Sequence, residues 1–104
     1  YLIVAFGSVA RISQKAVEMA RKEGLKIGIL RPITLWPFPK DEVKRLGQKS
    51  KGVLVVEMNA GQMIEDVKLA IGDNIQVEHF GRLGGIVPSP DEILEAFKAK
   101  FINK

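Results

Sequence analysis

Two spacings of hydrophobic residues alternate along the chain, and they predict four strands and four helices. Residues 2–6 are a continuous apolar run, and residues 53–58 repeat this pattern apart from Glu57, which is typical of strands buried on both faces. Further strands are predicted at residues 27–30 and 75–80. Between these runs, apolar residues recur every three to four positions, so helices are expected at about 9–23, 40–49, 63–71 and from residue 90 onward.

The ends of three predicted helices carry recognisable signals. Gly24 and Gly72 follow the first and third helices, where a glycine commonly ends a helix. Ser89, Pro90 and Glu92 have the spacing of a capping box with proline in the first turn. The last helix should therefore begin at Pro90 and carry Phe97 and Phe101 on its apolar face.

Strands that alternate with helices predict a three-layer α/β fold with a mainly parallel sheet. The two most apolar strands, the first and third, should be central, which gives the strand order 2-1-3-4. Ligands of such sheets bind beyond the carboxyl ends of the strands, where the winding direction reverses. The candidate crevice or anion site is therefore formed by Gly7, Ser8, Asn59, Gly61 and Gln62. A plain serine cap and tight turn at Ser8 is the alternative.

Length and charge narrow the class of protein. A chain of 104 residues allows one domain. Residues 1–52 hold 11 basic and 4 acidic residues, a net charge of +7, whereas residues 53–104 hold 5 and 8, a net charge of −3. Nucleic-acid binding would require exposed aromatic residues among these cations, so we expect solvated helix faces and no nucleic acid. No apolar run reaches the ~20 residues of a membrane span, and a cytoplasmic location is expected.

The chain has few residues of the types that form active sites. It contains no Cys, which excludes thiolate zinc sites and iron–sulfur ligation within it. His79 is the only imidazole, too few for a zinc site or several catalytic roles. The adjacent acidic pairs diverge on their helices, and two pairs suit helix N-termini. We therefore predict no catalytic, cofactor-binding or metal-binding residue in this chain.

One loop is unusual because it combines three prolines with large apolar side chains. Residues 32–39 either fold back on the sheet edge or face another protein, where Trp36 would be a favoured anchor. Arg31 and Glu57 end the second and third strands and are expected at the rim of the sheet. Their positions are equally compatible with a salt bridge and with a contact to a neighbouring domain. The candidate interface residues are Arg31, Pro32, Leu35, Trp36, Phe38 and Glu57.

Several segments together resemble the C-terminal domain of 2-oxoacid:ferredoxin oxidoreductase alpha subunits, a branch of the transketolase C-terminal-domain-like superfamily. They are residues 4–11 (VAFGSVAR), 30–39 (LRPITLWPFP), 55–62 (VVEMNAGQ) and 81–93 (GRLGGIVPSPDEI). Gly47 and Ala60 do not follow from the motif. The C-terminal domain of a transketolase or of a 2-oxoacid dehydrogenase β subunit, and a stand-alone anion or small-molecule binding module, are the alternatives.

The resemblance implies a complex that converts a 2-oxoacid and coenzyme A to acyl-CoA and CO₂ and reduces ferredoxin. Thiamine diphosphate, Mg and iron–sulfur clusters would be held by other domains, so none is expected on this chain. Its role would be packing and assembly, through residues 31–39 and 57–62, with other domains of the same alpha subunit and with a thiamine-diphosphate-binding beta subunit. Because it begins at Tyr1 without Met, residues 1–104 are expected to be one domain excised from a longer alpha subunit.

Overall fold

Strands and helices alternate in a computed structural model that describes residues 1–5, 7, 9–31, 39–57, 62–81 and 88–102, with Gln62 described by its backbone only. A π-helical turn, Lys98–Ile102, follows the last helix. The elements in chain order are β1 (Leu2–Ala5), α1 (Val9–Lys22), β2 (Gly28–Leu30), α2 (Lys40–Gln48), β3 (Gly52–Glu57), α3 (Gln62–Ile71), β4 (Gln76–Gly81) and α4 (Pro90–Phe97).

The four strands form one parallel sheet in the order β2-β1-β3-β4. In the register, Ile3 lies between Ile29 and Leu54, and Glu57 lies opposite Gly81. The predicted fold class and strand order are thus confirmed. The order follows from apolarity, because the central strands β1 and β3 are buried along their whole length.

Side chains that alternate along the central strands enter two separate cores. Ile3, Ala5, Leu54 and Val56 pack against α1 and α4 on one face, and Phe97 of α4 is fully buried there. The next residues along each strand, such as Val4 and Val55, pack on the other face with buried residues of α2 and α3. Because successive strand residues point to opposite faces, one apolar run supplies both cores.

The helix boundary signals have the conformations that the sequence predicts. Gly24 and Gly72 have φ angles of +88° and +91°, in the left-handed region that favours glycine. Ser89 forms the capping box: its hydroxyl accepts from the Glu92 backbone N–H at 3.2 Å, and the Glu92 carboxylate accepts from the Ser89 N–H at 3.0 Å.

Several boundaries differ from the sequence-based expectations. Ile27 lies outside β2, and its carbonyl accepts a hydrogen bond from Nε of Arg21 at 3.0 Å. β4 extends to Gly81, which pairs with Glu57. α4 ends at Phe97, so Phe101 belongs to the π-helical turn. Phe6 and Met58, predicted as strand ends, lie outside the described residues.

The π-helical turn closes an aromatic cluster at the amino ends of the strands. Rings of Tyr1, Phe97 and Phe101 lie with their centroids 5.1–5.5 Å apart. A Cβ atom on Gly52, the first residue of β3, would collide with the Phe101 ring. Glycine at this position therefore lets the ring lie directly on the strand.

Gly47, which the sequence motifs did not explain, allows α2 and α3 to approach closely. Its added Cβ would lie 2.5 Å from Cδ1 of Ile71. The same pair of helices is tied by Gln48, whose side-chain amide donates to the Ile71 carbonyl at 3.3 Å. The missing side chain at residue 47 therefore leaves space for Ile71.

Candidate functional site

The carboxyl ends of all four strands lie along one edge of the sheet, the edge at which parallel α/β sheets bind ligands. α1 and α3 begin at this edge because each follows directly after a central strand. Gly7, between β1 and α1, is exposed with φ +73°, and its carbonyl accepts from the Ala10 N–H at 3.1 Å. Gly7 therefore lies at the carboxyl edge, and its part in a ligand crevice stays a prediction.

Glu57, the last residue of β3, carries a carboxylate buried beneath the start of α3. Only 1% of the residue is exposed. Both carboxylate oxygens lie within hydrogen-bond distance of the Met63 backbone N–H, at 3.0 and 3.2 Å. Met63 lies in the first turn of α3, where free N–H groups and the helix dipole stabilise negative charge. The chain's own carboxylate thus occupies the anion-binding position of this helix.

His79 lies beside this carboxylate. It faces Val55 in the register, so its side chain lies on the same face of the sheet as Glu57. Its Nε2 atom is 3.6 Å from Oε2 of Glu57. That nitrogen is inaccessible to solvent and has no hydrogen-bond partner within the described part of the chain, although 27% of the side chain is exposed.

Gly81 completes the arrangement opposite Glu57. A Cβ at this position would collide with the backbone carbonyl oxygen of Glu57 and would lie 2.9 Å from Cε1 of His79. Glycine therefore allows β4 to stay paired with β3 up to its last residue while the imidazole remains next to the carboxylate.

Glu57 does not stand at the rim, contrary to the expectation for its charge. β3 is a central strand, and α3 and β4 cover its last residue. The sequence contained one usable signal: in a parallel sheet, the ends of neighbouring strands meet, so Glu57 and His79 could have been matched from the strand boundaries. A contact of Glu57 with a neighbouring domain stays a prediction.

The remaining candidate residues are described only in part. Arg31 is exposed directly after β2. The candidates that lie outside the described residues are Ser8, Pro32, Leu35, Trp36, Phe38, Asn59 and Gly61, together with the side chain of Gln62. The proposed interface and crevice therefore stay predictions from the sequence.

Two other kinds of site are absent from the described residues. No group of three or more His, Cys, Asp and Glu residues within them is arranged to hold a metal ion. Among the same residues, no helix has the length and apolarity needed to cross a membrane.

Comparison with known proteins defines the class to which this fold belongs. The family described as pyruvate:ferredoxin oxidoreductase core domain II matches residues 1–93. The chain belongs to this family, and the resemblance to 2-oxoacid:ferredoxin oxidoreductases is confirmed.

Two relatives illustrate the family. The chain is 41% identical over 97 residues to the ketoisovalerate oxidoreductase subunit VorB of Methanothermobacter thermautotrophicus. The aligned region covers 93% of this chain and 27% of that protein. The chain is 39% identical over 92 residues to the 2-oxoglutarate synthase subunit KorA of Methanothermobacter marburgensis, covering 88% of this chain and 24% of that protein. The chain thus spans about a quarter of the length of these relatives.

A solved structure has the same fold. It is the 2-oxoglutarate:ferredoxin oxidoreductase from Magnetococcus marinus with 2-oxoglutarate, coenzyme A and succinyl-CoA bound. The similarity has a TM-score of 0.83 and 27% sequence identity, and it covers 95% of this chain but 17% of that one. The fold described above therefore corresponds to one part of a much larger chain.

Proposed function

We propose that residues 1–104 form one domain of a longer alpha subunit of a 2-oxoacid:ferredoxin oxidoreductase, and that this domain serves assembly rather than catalysis. The observation that carries the proposal is the family membership of a chain that matches about a quarter of each relative. The relatives are named as subunits, so each works within an assembly.

The proposed enzyme oxidises a 2-oxoacid in the presence of coenzyme A. The products are an acyl-CoA and CO₂, and the electrons pass to ferredoxin. The similar structure has 2-oxoglutarate, coenzyme A and succinyl-CoA bound, which supports this reaction class. Relatives named for ketoisovalerate and for 2-oxoglutarate match the chain almost equally well, so we propose a 2-oxoacid without choosing between them.

We assign the cofactors of this reaction to other parts of the assembly. The sequence contains no Cys to ligate an iron–sulfur cluster. The start of α3 does not fit the pyrophosphate of thiamine diphosphate, because the Met63 N–H is already bound by Glu57. The buried carboxylate would repel a phosphate there. The partners are therefore the other domains of the alpha subunit and a thiamine-diphosphate-binding beta subunit.

The proposal is tested by capturing the native protein with an antibody against this domain. Intact mass and cofactor analysis should find a subunit several times heavier than this chain, an iron–sulfur partner and bound thiamine diphosphate. Recovery of a free chain of 11.5 kDa without partner or cofactor would contradict the assignment.

A substitution tests the assembly role directly. In the full-length subunit, Trp36→Ala should weaken association with the partner subunit about tenfold or more, because buried tryptophans often dominate interfaces. Titration of one subunit with the other, followed by native mass spectrometry, measures this. Trp36→Phe is the matched control and should retain most of the affinity. Unchanged association and melting temperature in Trp36→Ala would exclude this residue from the interface.

A further inference from the structure

The carboxylate of Glu57 has more hydrogen-bonding capacity than the start of α3 uses. An ionised carboxylate can accept about four hydrogen bonds, and a buried one is stable only when donors surround it. The hydrogen-bond donor to this carboxylate within the described residues is the Met63 N–H. The next polar atom is Nε2 of His79, at 3.6 Å from Oε2.

The position of His79 restricts which ring nitrogen carries its proton. A neutral imidazole has one N–H donor and one acceptor nitrogen. Nε2 is buried and faces an oxygen that can only accept when ionised. A lone pair on Nε2 would therefore repel the carboxylate, whereas an N–H would be attracted to it. The arrangement favours the tautomer with hydrogen on Nε2.

The backbone keeps this pair together. Glu57 and Gly81 are partners in the register, and the absent side chain of Gly81 leaves room for both the Glu57 carbonyl and the imidazole. β3, β4 and α3 therefore meet at one buried carboxylate. From this point, residues 58–61 connect β3 with α3, and residues 82–89 connect β4 with α4.

We propose that Glu57 and His79 are a pair of positioning residues: Nε2–H of His79 faces the same carboxylate that accepts the Met63 N–H, in an electrostatic contact of 3.6 Å that is longer than a hydrogen bond. The pair fixes β4 and α3 to β3 at the carboxyl edge of the sheet. By fixing these elements, it sets the geometry of the contact with the partner subunit. This last consequence rests on the proposed assembly function, whereas the tautomer and the electrostatic contact do not.

The tautomer can be measured in the 104-residue chain, because His79 is the only histidine and its ring signals need no assignment. A two-bond proton–nitrogen spectrum at alkaline pH should show hydrogen on Nε2 and an unprotonated Nδ1. Glu57→Gln should shift the Nε2 signal. Glu78→Gln is the matched control, because that carboxylate pairs instead with Lys100 and should leave the signal unchanged. Hydrogen on Nδ1, or a spectrum insensitive to Glu57→Gln, would overturn the proposal.

The positioning role is measured in the full-length subunit with its partner. His79→Phe keeps a ring but removes the donor, and it should weaken association about tenfold. Val53→Ala, at the other end of β3, is the control for lost stability, because it leaves the carboxyl edge intact. Weakened association in His79→Phe, with normal association in a Val53→Ala variant of equal or lower melting temperature, would support the role. Equal weakening in both variants would make the pair merely structural.

Failure of the assembly function itself would have a different signature. In that case Trp36→Ala and His79→Phe would both associate like the wild-type subunit, because the domain would make no partner contact for the pair to set. The spectrum of His79 would still decide whether its Nε2–H faces the carboxylate. The two proposals can therefore fail separately.

Discussion

The two ends of the sheet are closed by contacts of opposite character. At the carboxyl edge, Glu57 accepts from a backbone N–H and lies beside His79, while Gly81 faces a backbone carbonyl. At the amino edge, an aromatic cluster closes the core, and Gly52 faces the ring of Phe101. Both edges need a glycine, but a ring at the end of a side chain can move and a carbonyl within a sheet cannot. The carboxyl edge should therefore be the less tolerant of the two.

The largest expected effect is that of Gly81→Ala. The new methyl group would collide with the Glu57 carbonyl oxygen, so strand pairing must distort. We expect a loss of about 3 kcal/mol in the free energy of unfolding, the upper range for overpacked sites. Chemical denaturation of the 104-residue chain measures it.

A His79→Ala variant shows whether the Glu57 carbonyl or the His79 ring obstructs a side chain at residue 81. The same Gly81→Ala change should cost nearly as much in a His79→Ala chain, because removing the imidazole leaves the carbonyl in place. Full rescue by His79→Ala would show that the side chain alone causes the conflict, and the contrast between the two edges would then disappear.

Gly52→Ala should have a smaller effect, of about 1.5 kcal/mol. Here the obstacle is the Phe101 ring, which is only partly buried and can rotate or shift. In a Phe101→Leu background the substitution should cost less than about 0.5 kcal/mol, giving a clear coupling energy in a double-mutant cycle. Additive effects of the two changes would contradict a ring-against-glycine contact.

The smallest expected effect concerns the ion pair that ties the π-helical turn to the end of α1. Nζ of Lys98 lies 2.6 Å from Oε1 of Glu23, and this hydrogen bond raises the pKa of Lys98 above its ordinary value of 10.5. A raised pKa of a basic group stabilises the fold below the unfolded value, and this contribution is lost as pH rises through the folded value.

The measurement compares wild type with Lys98→Gln at about pH 9 and about pH 11.5. Wild type should be slightly more stable at the lower pH, and the difference should vanish at the higher one. The pair is solvent-exposed, so the effect should be small and should weaken with added salt. A difference that is constant across this pH range would exclude the charge of Lys98 as its source.

The architecture could be predicted because it depends on patterns within single segments. Continuous apolar runs marked β1 and β3 as central, and a more polar strand marked β4 as an edge. The capping box at Ser89 and the glycine ends of α1 and α3 are equally local. Such signals need no knowledge of which segments meet.

The details that sequence reasoning missed all involve residues far apart in the chain. Gly47 is explained by Ile71, and Gly52 by Phe101. Glu57 carries a charge that usually stays in water, so its burial became visible only when α3 and β4 were placed over it. Its contact with His79 could be inferred from the sequence only by aligning the ends of two neighbouring strands. The candidate interface around Trp36 remains a prediction that lies outside the described residues.

The charge difference between the two halves of the sequence is also a charge difference across the folded domain. β2 and β1 lie side by side and belong to the half with net charge +7, whereas β3 and β4 belong to the half with net charge −3. The charges lie mainly on the helices, and on each face of the sheet a helix of the basic half packs beside one of the acidic half, α1 with α4 and α2 with α3. The domain therefore carries an electric dipole directed across its strands. In the field of a charged neighbour, it would rotate before contact, and encounters in favourable orientations would become more frequent at low ionic strength.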